Sequence, residues 1–194
     1  MPIAPGSASS ASIAEIAQMA AIVRESMAAG AVGLASSTSP AHNGEGGLPM
    51  PSRLADEAEM AALVQAMAEG GRGVFMLTKS GETRLPFLES LAANSGRPVM
   101  VAALLHNSSN RGAVFADLAA ISAANGRGNF MLGQVSCCPL TMDFTLASAY
   151  PVEGLAAWKP ALGRAGAELA TVLARRDFRD ALRAYPLHLK SAVR

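Results

Sequence analysis

Four short apolar runs, separated by segments with helical periodicity, restrict most strongly what this chain can fold into. The runs are AVGLA at 31–35, GVFMLT at 73–78, RPVMVAALL at 97–105 and NFMLGQVS at 129–136. Each run is nearly continuous instead of alternating between apolar and polar residues. Continuous apolar strands are typical of parallel sheets that helices cover on the outside. The sequence therefore predicts an α/β fold.

A helix is predicted before each apolar run. The first helix begins after Ser12, which serves as N-cap with Glu15 completing a capping box, and it ends at Gly30. Three further helices are predicted over 56–69, 85–93 and 113–124. The resulting order gives about four parallel strands with covering helices, joined by right-handed crossovers.

Four such units fit either half of an eight-stranded (β/α)8 barrel or a small open sheet, and the pattern leaves both architectures open. In both, the functional residues lie in the loops that follow the C-terminal ends of the strands. These loops span 36–52, 79–84, 106–112 and 137–144. The chemistry of the protein is therefore expected at this edge of the sheet.

The C-terminal part of the chain is predicted to be helical and basic. Helices are expected over 155–162 and 168–184, and residues 159–194 carry eight basic and three acidic side chains. A helix with a solvated basic face is the expected cause of this excess, and binding to an acidic surface is the alternative. We therefore describe residues 163–194 as a basic helical tail.

Composition narrows the class of protein. Apolar residues make up 51% of the chain and charged residues 16%, which excludes disorder for most of it. The Pro- and Ser-rich residues 1–11 are expected to be flexible, and residues 12–194 to form one partial barrel domain. A net charge of +1 gives no reason to expect nucleic acid. No membrane span is expected, because no continuous apolar stretch approaches about 20 residues.

The cysteines and the N-terminus indicate the cellular compartment of the protein. Cys137 and Cys138 are adjacent, and a disulfide between neighbours in sequence would close a strained ring. The N-terminus lacks the basic and apolar segments of a secretory signal. Reduced thiols and the missing signal predict a cytoplasmic protein.

Two glycine-rich motifs lie on the wrong side of the strands for nucleotide binding. Gly71-Arg72-Gly73 and Gly126-Arg127-Gly128 precede predicted strands, whereas the phosphate-binding turn of a dinucleotide fold follows one. The chain also lacks the Walker A, HExxH, GxSxG and CxxC motifs. The sequence therefore favours no nucleotide site at either motif.

Candidate catalytic residues follow the third and fourth strands. His106 comes after the third strand, Cys137 ends the fourth, and Asp143 lies a few residues further on. A nucleophilic cysteine needs a base, and His106 is placed to be one. The expected substrate contacts at the same edge are Ser37, His42, Thr78, Lys79 and Asn107. Two separated histidines do not make a hydrolytic zinc site, which needs three or more protein ligands.

Long stretches of the chain resemble one enzyme family. They are EIAQMAAIVRESMAAGAVGLASSTSPAH at 15–42, PMPSRLADEAEMAALVQAMAEGGRGVFML at 49–77, GRPVMVAALLHN at 96–107, GQVSCCPLTMDFTLASAYPVEGLAAWKPAL at 133–162 and DFRDALR at 177–183. In order and spacing these stretches resemble the N-acyl-D-amino-acid deacylases, or D-aminoacylases, of the amidohydrolase superfamily.

The resemblance implies a TIM-type (β/α)8 barrel with one or two zinc ions that hydrolyses the amide bond of N-acyl-D-amino acids. Our four strands would be its fourth to seventh, so the chain would be an internal portion of the enzyme. The family has metal-binding histidines at the ends of the fifth and sixth strands, and these places are Thr78 and Ala103 here. No metal ligand of the family is therefore carried over, and zinc is implied for the parent family alone.

Three functions are weighed on this basis. The first is a portion of a metal-dependent deacylase acting on a small N-acyl amino acid. The second is a non-catalytic barrel portion that binds a small ligand or a partner. The third is a cysteine or serine amide hydrolase that works without metal. In all three, the open edges of a half-barrel sheet predict self-association.

Overall fold

The chain is described as a computed structural model covering residues 10–44, 48–106, 110–138, 141, 143–150 and 152–184. It divides into two compact units. The first unit comprises Met1–Ser39 and Pro51–Cys138, and the second comprises Pro40–Met50 and Pro139–Arg194. The extent of one barrel domain over 12–194 stays a prediction, and most of the predicted flexible N-terminus lies outside the described residues.

Helices and strands alternate through the first unit. They are α1 (Ile13–Ala28), β1 (Gly33–Ser37), α2 (Glu57–Ala68), β2 (Val74–Thr78), α3 (Leu85–Ser95), β3 (Val99–Ala102), α4 (Ala113–Gly126) and β4 (Met131–Gly133), with a 3-10 turn at Pro51–Arg53. The capping box predicted for α1 is present, because the Ser12 hydroxyl accepts from the Glu15 amide and the Glu15 carboxylate accepts from the Ser12 amide. Gly30 ends the helix with a positive φ of 110°.

The four strands form one parallel sheet in the order β1-β2-β3-β4. This order distinguishes between the two architectures left open by the sequence. A doubly wound sheet reverses its strand order at a switch point, whereas consecutive strands of a barrel follow one another in sequence. The predicted α/β class is confirmed, and the open sheet is consistent with a partial barrel.

The two faces of the sheet differ in burial. Phe75, Leu77, Val99 and Val101 are fully buried against α1 to α4. On the opposite face, the row of Met76, Met100 and Leu132 is half-buried. The helices that the sequence predicted outside the sheet therefore form a layer on one face. An apolar second face is what the interior of a barrel requires, which explains why the runs look continuous.

An arginine follows a glycine in three of the four described helix-to-strand turns, those before β2, β3 and β4, and each arginine bonds to an earlier helix or turn. Arg72 donates to the Met27 carbonyl at the end of α1, and Arg97 donates to the Gly71 carbonyl. Arg127 donates to both carboxylate oxygens of Glu89 on α3, each at 2.7 Å. The two Gly-Arg-Gly motifs therefore have a structural use, since they join successive units at the N-terminal edge of the sheet.

The second unit has its own apolar core. Its described elements are a 3-10 helix at Ala156–Ala161, α5 (Gly166–Ala174) and α6 (Arg176–Ala184). Trp158 contacts Phe178 with ring centroids 5.6 Å apart. The sequence predicted one helix over 168–184, which is wrong, because Arg175 is extended and divides it. The Arg175 guanidinium forms an ion pair with Asp177 at this break.

Among the described residues, no helix is both long and apolar enough to cross a membrane.

Candidate functional site

Two of the predicted contact residues meet at the C-terminal edge of the sheet. Ser37 ends β1 and Thr78 ends β2, and the two are partners in the parallel register. The Ser37 hydroxyl donates to the Thr78 carbonyl at 3.4 Å and accepts from the Ser39 amide at 3.1 Å. Thr78 pairs on its other side with Ala102, the last residue of β3. Ser37, Thr78 and Ala102 therefore lie in one row on the face of the sheet away from the helices.

A cluster of hydroxyls ties the first two loops together. The Thr38 and Thr83 hydroxyls lie 2.8 Å apart, and the Ser80 hydroxyl lies 3.1 Å from that of Thr83. The Ser80 amide donates to the Thr38 hydroxyl at 2.8 Å. All three side chains are half-buried. The cluster thus fixes the loop after β2 against the end of β1.

Lys79 lies on the helical side of the sheet, unlike its neighbour Thr78. Side chains alternate along an extended chain, and Leu77 is buried under the helices, so Lys79 follows Leu77 and not Thr78. Its ammonium lies 3.1 Å from Asp117 Oδ2 on α4, and the two side chains are 19% and 22% exposed. The ion pair is therefore largely removed from water, which strengthens the interaction of its charges with any neighbouring group.

A cleft opens beside this ion pair. Its volume is about 160 Å³. The lining residues are Lys79, Ser80, Gly81, Ala103, Leu104, Leu105, Ala113, Val114 and Asp117. The cleft combines the charged Lys79 and Asp117 with apolar lining from the two leucines and from the first turn of α4. A single water needs roughly 10–15 Å³ of such space, so a small molecule can enter.

The residues predicted after β3 and β4 are exposed. The peptide bond between Ala102 and Ala103 is cis. The His106 ring packs edge-on against Phe115, with centroids 6.2 Å apart, and Asn107 lies outside the described residues. Cys137 is a free thiol in the exposed segment after β4, as is Cys138. No hydrogen bond joins His106 to either thiol in the described part of the chain, so a cysteine–histidine pair stays a prediction.

The remaining two candidates belong to the second unit. His42 lies beside Tyr150 there, with ring centroids 6.3 Å apart. Asp143 is exposed. Sequence order had suggested one shared edge for all the candidates, whereas folding assigns these two to a different compact unit.

The side chains present do not supply a donor set for a metal. Among the described residues, no group of three His, Cys, Asp or Glu side chains could hold a metal ion. The two places where the resemblance puts the family's histidines carry a hydroxyl and a methyl group, since Thr78 ends β2 and Ala103 directly follows β3. Zinc in hydrolytic sites is bound by His, Cys and carboxylate ligands. The residues present therefore do not fit the metal centre that the family resemblance implies.

Three residues of this edge were not identified from the sequence. Thr38 and Ser80 join Thr83 in the hydroxyl cluster, and Asp117 pairs with Lys79. Asp117 had a signal that could have revealed it, because it is the one charged residue in the otherwise uncharged α4 sequence AVFADLAAISAANG. A lone charge on such a helix requires a partner.

Comparison with known proteins gives a structural likeness. No protein-family model matches the chain, and no curated protein matches it by sequence. A solved D-aminoacylase, studied for activation by one metal and attenuation by the second in its binuclear centre, matches with a TM-score of 0.51. The identity is 22%, and the match covers 69% of this chain and 26% of the D-aminoacylase chain.

The structural match to the D-aminoacylase supports a statement about the fold of this chain. At 22% identity it supports the fold alone, a parallel α/β sheet consistent with part of a TIM-type barrel, and it does not show the substrate or the reaction. The matched region spans about a quarter of the D-aminoacylase chain, 26%. A four-stranded segment is therefore compared with part of a larger barrel.

Proposed function

We propose that this chain is a portion of an amidohydrolase-type hydrolase that cleaves the amide C–N bond of N-acyl-D-amino acids. In this reaction water is added across the amide bond. The acyl carbon takes the hydroxyl group and the nitrogen takes a proton, which releases a carboxylic acid and a free amino acid. The neighbour is a D-aminoacylase, and the stretches quoted above resemble the same family.

The observation that carries the proposal is the strand order. Four parallel strands in sequential order, with helices on one face and half-buried apolar residues on the other, are what a segment of a barrel presents. The exposed apolar side chains support it. Ile22 in α1 and Val32 just before β1 are exposed, as are Phe115 in α4 and Phe130 just before β4. In the described chain, α2 and α3 between them expose no large apolar side chain.

The open ends of the sheet would be covered by further strands and helices of the same barrel. Under this proposal, the chain contributes the C-terminal edge with Ser37 and Thr78 as substrate contacts, whereas Lys79 lies on the other face of the sheet. No catalytic step is derived through zinc, because the described residues do not supply its ligands. A metal centre in the complete enzyme would need its ligands from elsewhere. Self-association through the same open edges stays a prediction.

The test begins with the coding DNA on both sides of this reading frame. The resemblance implies a paired-histidine motif on the first barrel strand of the complete enzyme and a catalytic aspartate at the end of the last strand. If the first is encoded upstream and the second downstream, the whole product should hydrolyse N-acetyl-D-amino acids in the presence of zinc. The control is the same protein assayed with N-acetyl-L-amino acids, which should react more slowly. A complete barrel without activity on either series, at any zinc concentration, would refute the proposal.

A second candidate function is a non-catalytic barrel portion that binds a small ligand. It is favoured by the missing metal donors at the ends of β2 and β3 and by the charged cleft beside Lys79. Unrelated sequence on both sides of the frame would favour this candidate. Binding of a ligand by the 194-residue chain without turnover would then be the expected result.

A metal-free cysteine or serine hydrolase remains the third hypothesis. Both thiols are exposed, and the Ser136 hydroxyl donates to the Cys138 carbonyl at 2.6 Å. Alkylation of the thiols should abolish hydrolysis under this hypothesis, whereas chelators should leave it unchanged. The first function predicts the reverse sensitivity.

A further inference from the structure

The Lys79–Asp117 pair presents two opposite charges side by side to an open cleft. The ammonium has three donor protons and lies 3.1 Å from Asp117 Oδ2 as an ion pair. The carboxylate has several acceptor positions. Both groups line the cleft, so a ligand there can use their hydrogen-bonding capacity.

A ligand with one charge does not suit such a pair. An anion beside Lys79 would also lie close to the Asp117 carboxylate, and a cation beside Asp117 would lie close to the Lys79 ammonium. In either case attraction to one group is offset by repulsion from the other. A zwitterion avoids this cost, because it can lie along the pair with opposite polarity so that the four charges alternate.

Part of the cleft lining is apolar. Leu104, Leu105 and Val114 line the space together with the ion pair. A ligand whose charged groups meet Lys79 and Asp117 can therefore place an apolar substituent against these side chains. The volume of about 160 Å³ is below the roughly 300–1,000 Å³ of sites for drug-sized molecules, so the ligand is small.

We infer that this cleft binds a free, zwitterionic α-amino acid with an apolar side chain, its carboxylate on Lys79 and its ammonium on Asp117. This inference rests on the proposed function for the source of the ligand, since hydrolysis of an N-acyl amino acid releases such a molecule. The substrate lacks the ammonium, because its nitrogen is acylated and uncharged. The cleft is thereby selective for the product over the substrate.

The test compares three ligands on the 194-residue chain by calorimetry and ligand-observed NMR. D-Leucine is a zwitterion, N-acetyl-D-leucine is an anion of the same side chain, and D-leucinamide is the matching cation. D-Leucine should bind at least about tenfold more tightly than either derivative, as expected from one lost charge-assisted hydrogen bond. Equal affinity of all three ligands for the wild-type chain would overturn the inference without any variant.

Two substitutions change the preference in opposite directions. Lys79→Met should weaken D-leucine binding about tenfold and make D-leucinamide the best ligand. Asp117→Asn should weaken D-leucine binding similarly and make N-acetyl-D-leucine the best ligand. A merely structural ion pair would give both variants the same change for all ligands, and that result would contradict the inference.

A matched control is available in the second unit. Lys159 is an exposed lysine, and Lys159→Met should leave the order of the three affinities unchanged. Circular dichroism of each variant checks that it is folded. If D-leucine binds as described while the complete enzyme hydrolyses no N-acyl-D-amino acid, the proposed function fails and the zwitterion site stands. If the complete enzyme hydrolyses N-acyl-D-amino acids but the three ligands bind with equal affinity, only the zwitterion site is refuted.

Discussion

The two edges of the sheet are built from different kinds of contact. At the N-terminal edge, three arginines lie in helix-to-strand turns, and each donates a hydrogen bond to an earlier helix or turn. They are Arg72, Arg97 and Arg127. At the C-terminal edge, the loops are joined by hydroxyls, and the ion pair there lines a cleft. The first edge holds the repeated units in register, and the second leaves polar groups directed at open space.

This difference shows which edge of the sheet is stabilised by contacts between elements and which edge can accept a ligand. An arginine that bonds to a preceding helix or turn restrains two elements at once, so each of these three turns stabilises its neighbour. Polar groups at the C-terminal edge are held in place while part of their hydrogen-bonding capacity is left over. Barrel enzymes separate stability from function in the same way, with chemistry at the C-terminal face.

The largest expected effect comes from a glycine at the N-terminal edge. Gly73 has a φ of 109°, and a Cβ atom there would lie 3.0 Å from Met27 Cε and 3.0 Å from Met67 Cγ. Gly73→Ala should lower the free energy of unfolding by about 1–3 kcal/mol, because a side chain is strained in this conformation. Urea unfolding followed by circular dichroism measures the change.

The control substitution is at the other edge. A Cβ atom added at Gly81 would have no other atom within 4 Å, and the φ of Gly81 is not in the left-handed region. Gly81→Ala should therefore change the free energy of unfolding by less than about 0.5 kcal/mol. Equal losses at both glycines would show that the two edges do not differ in rigidity, and the comparison would fail.

The sequence predicted the local features of this fold well. Apolar runs and capping residues are set by neighbours in the chain, which is why α1 and the four strands were placed within a few residues. The predicted third and fourth strands were too long, since Leu104 and Leu105 already line the cleft beyond β3. An apolar run does not show where pairing in the sheet ends.

The candidate site was less predictable because it depends on which way side chains point and on distant contacts. Thr78 and Lys79 were predicted to act together, yet strand alternation places them on opposite faces. His42 and Asp143 belong to another unit, which no local pattern encodes. Asp117 lies 38 positions from Lys79 in sequence, and only the packing of α4 on the sheet brings the two together.

The second prediction concerns how low pH affects the stability that the Glu89–Arg127 ion pair gives to the N-terminal edge. Hydrogen bonds from Arg127 and Asn129 lower the pKa of Glu89 from its ordinary value of 4.5 to about 2. The unfolded chain therefore takes up this proton first, so the stabilisation is complete above about pH 4.5 and is lost as the pH falls toward about 2. Urea midpoints measured from about pH 6 to about pH 2.5 should fall more steeply for the wild type than for Glu89→Gln.

Glu82→Gln provides the comparison at the C-terminal edge, where Glu82 is exposed in the loop after β2. Its urea midpoints should follow those of the wild type over the same pH range. Burial raises the pKa of Glu59, so this residue changes stability with pH in the opposite direction. Because Glu59 is present in the wild type and in both variants, its contribution cancels when their urea midpoints are compared. A Glu82→Gln profile as flat as that of Glu89→Gln would remove the distinction between the edges.

The smallest expected effect tests the hydroxyl cluster. Thr38→Val keeps the shape of the side chain and removes the acceptor of the Ser80 amide, at a net cost of about 1 kcal/mol or less. The loss should be small, so hydrogen exchange at the Ser80 amide should accelerate while the urea midpoint falls less than it does for Gly73→Ala. Thr171→Val is the matched control, because the Thr171 hydroxyl bonds within one turn of the exposed α5 surface. If Thr38→Val lowers the midpoint as much as Gly73→Ala does, the hydroxyl cluster is part of the stabilising framework. The C-terminal edge would then be as rigid as the arginine-bonded one.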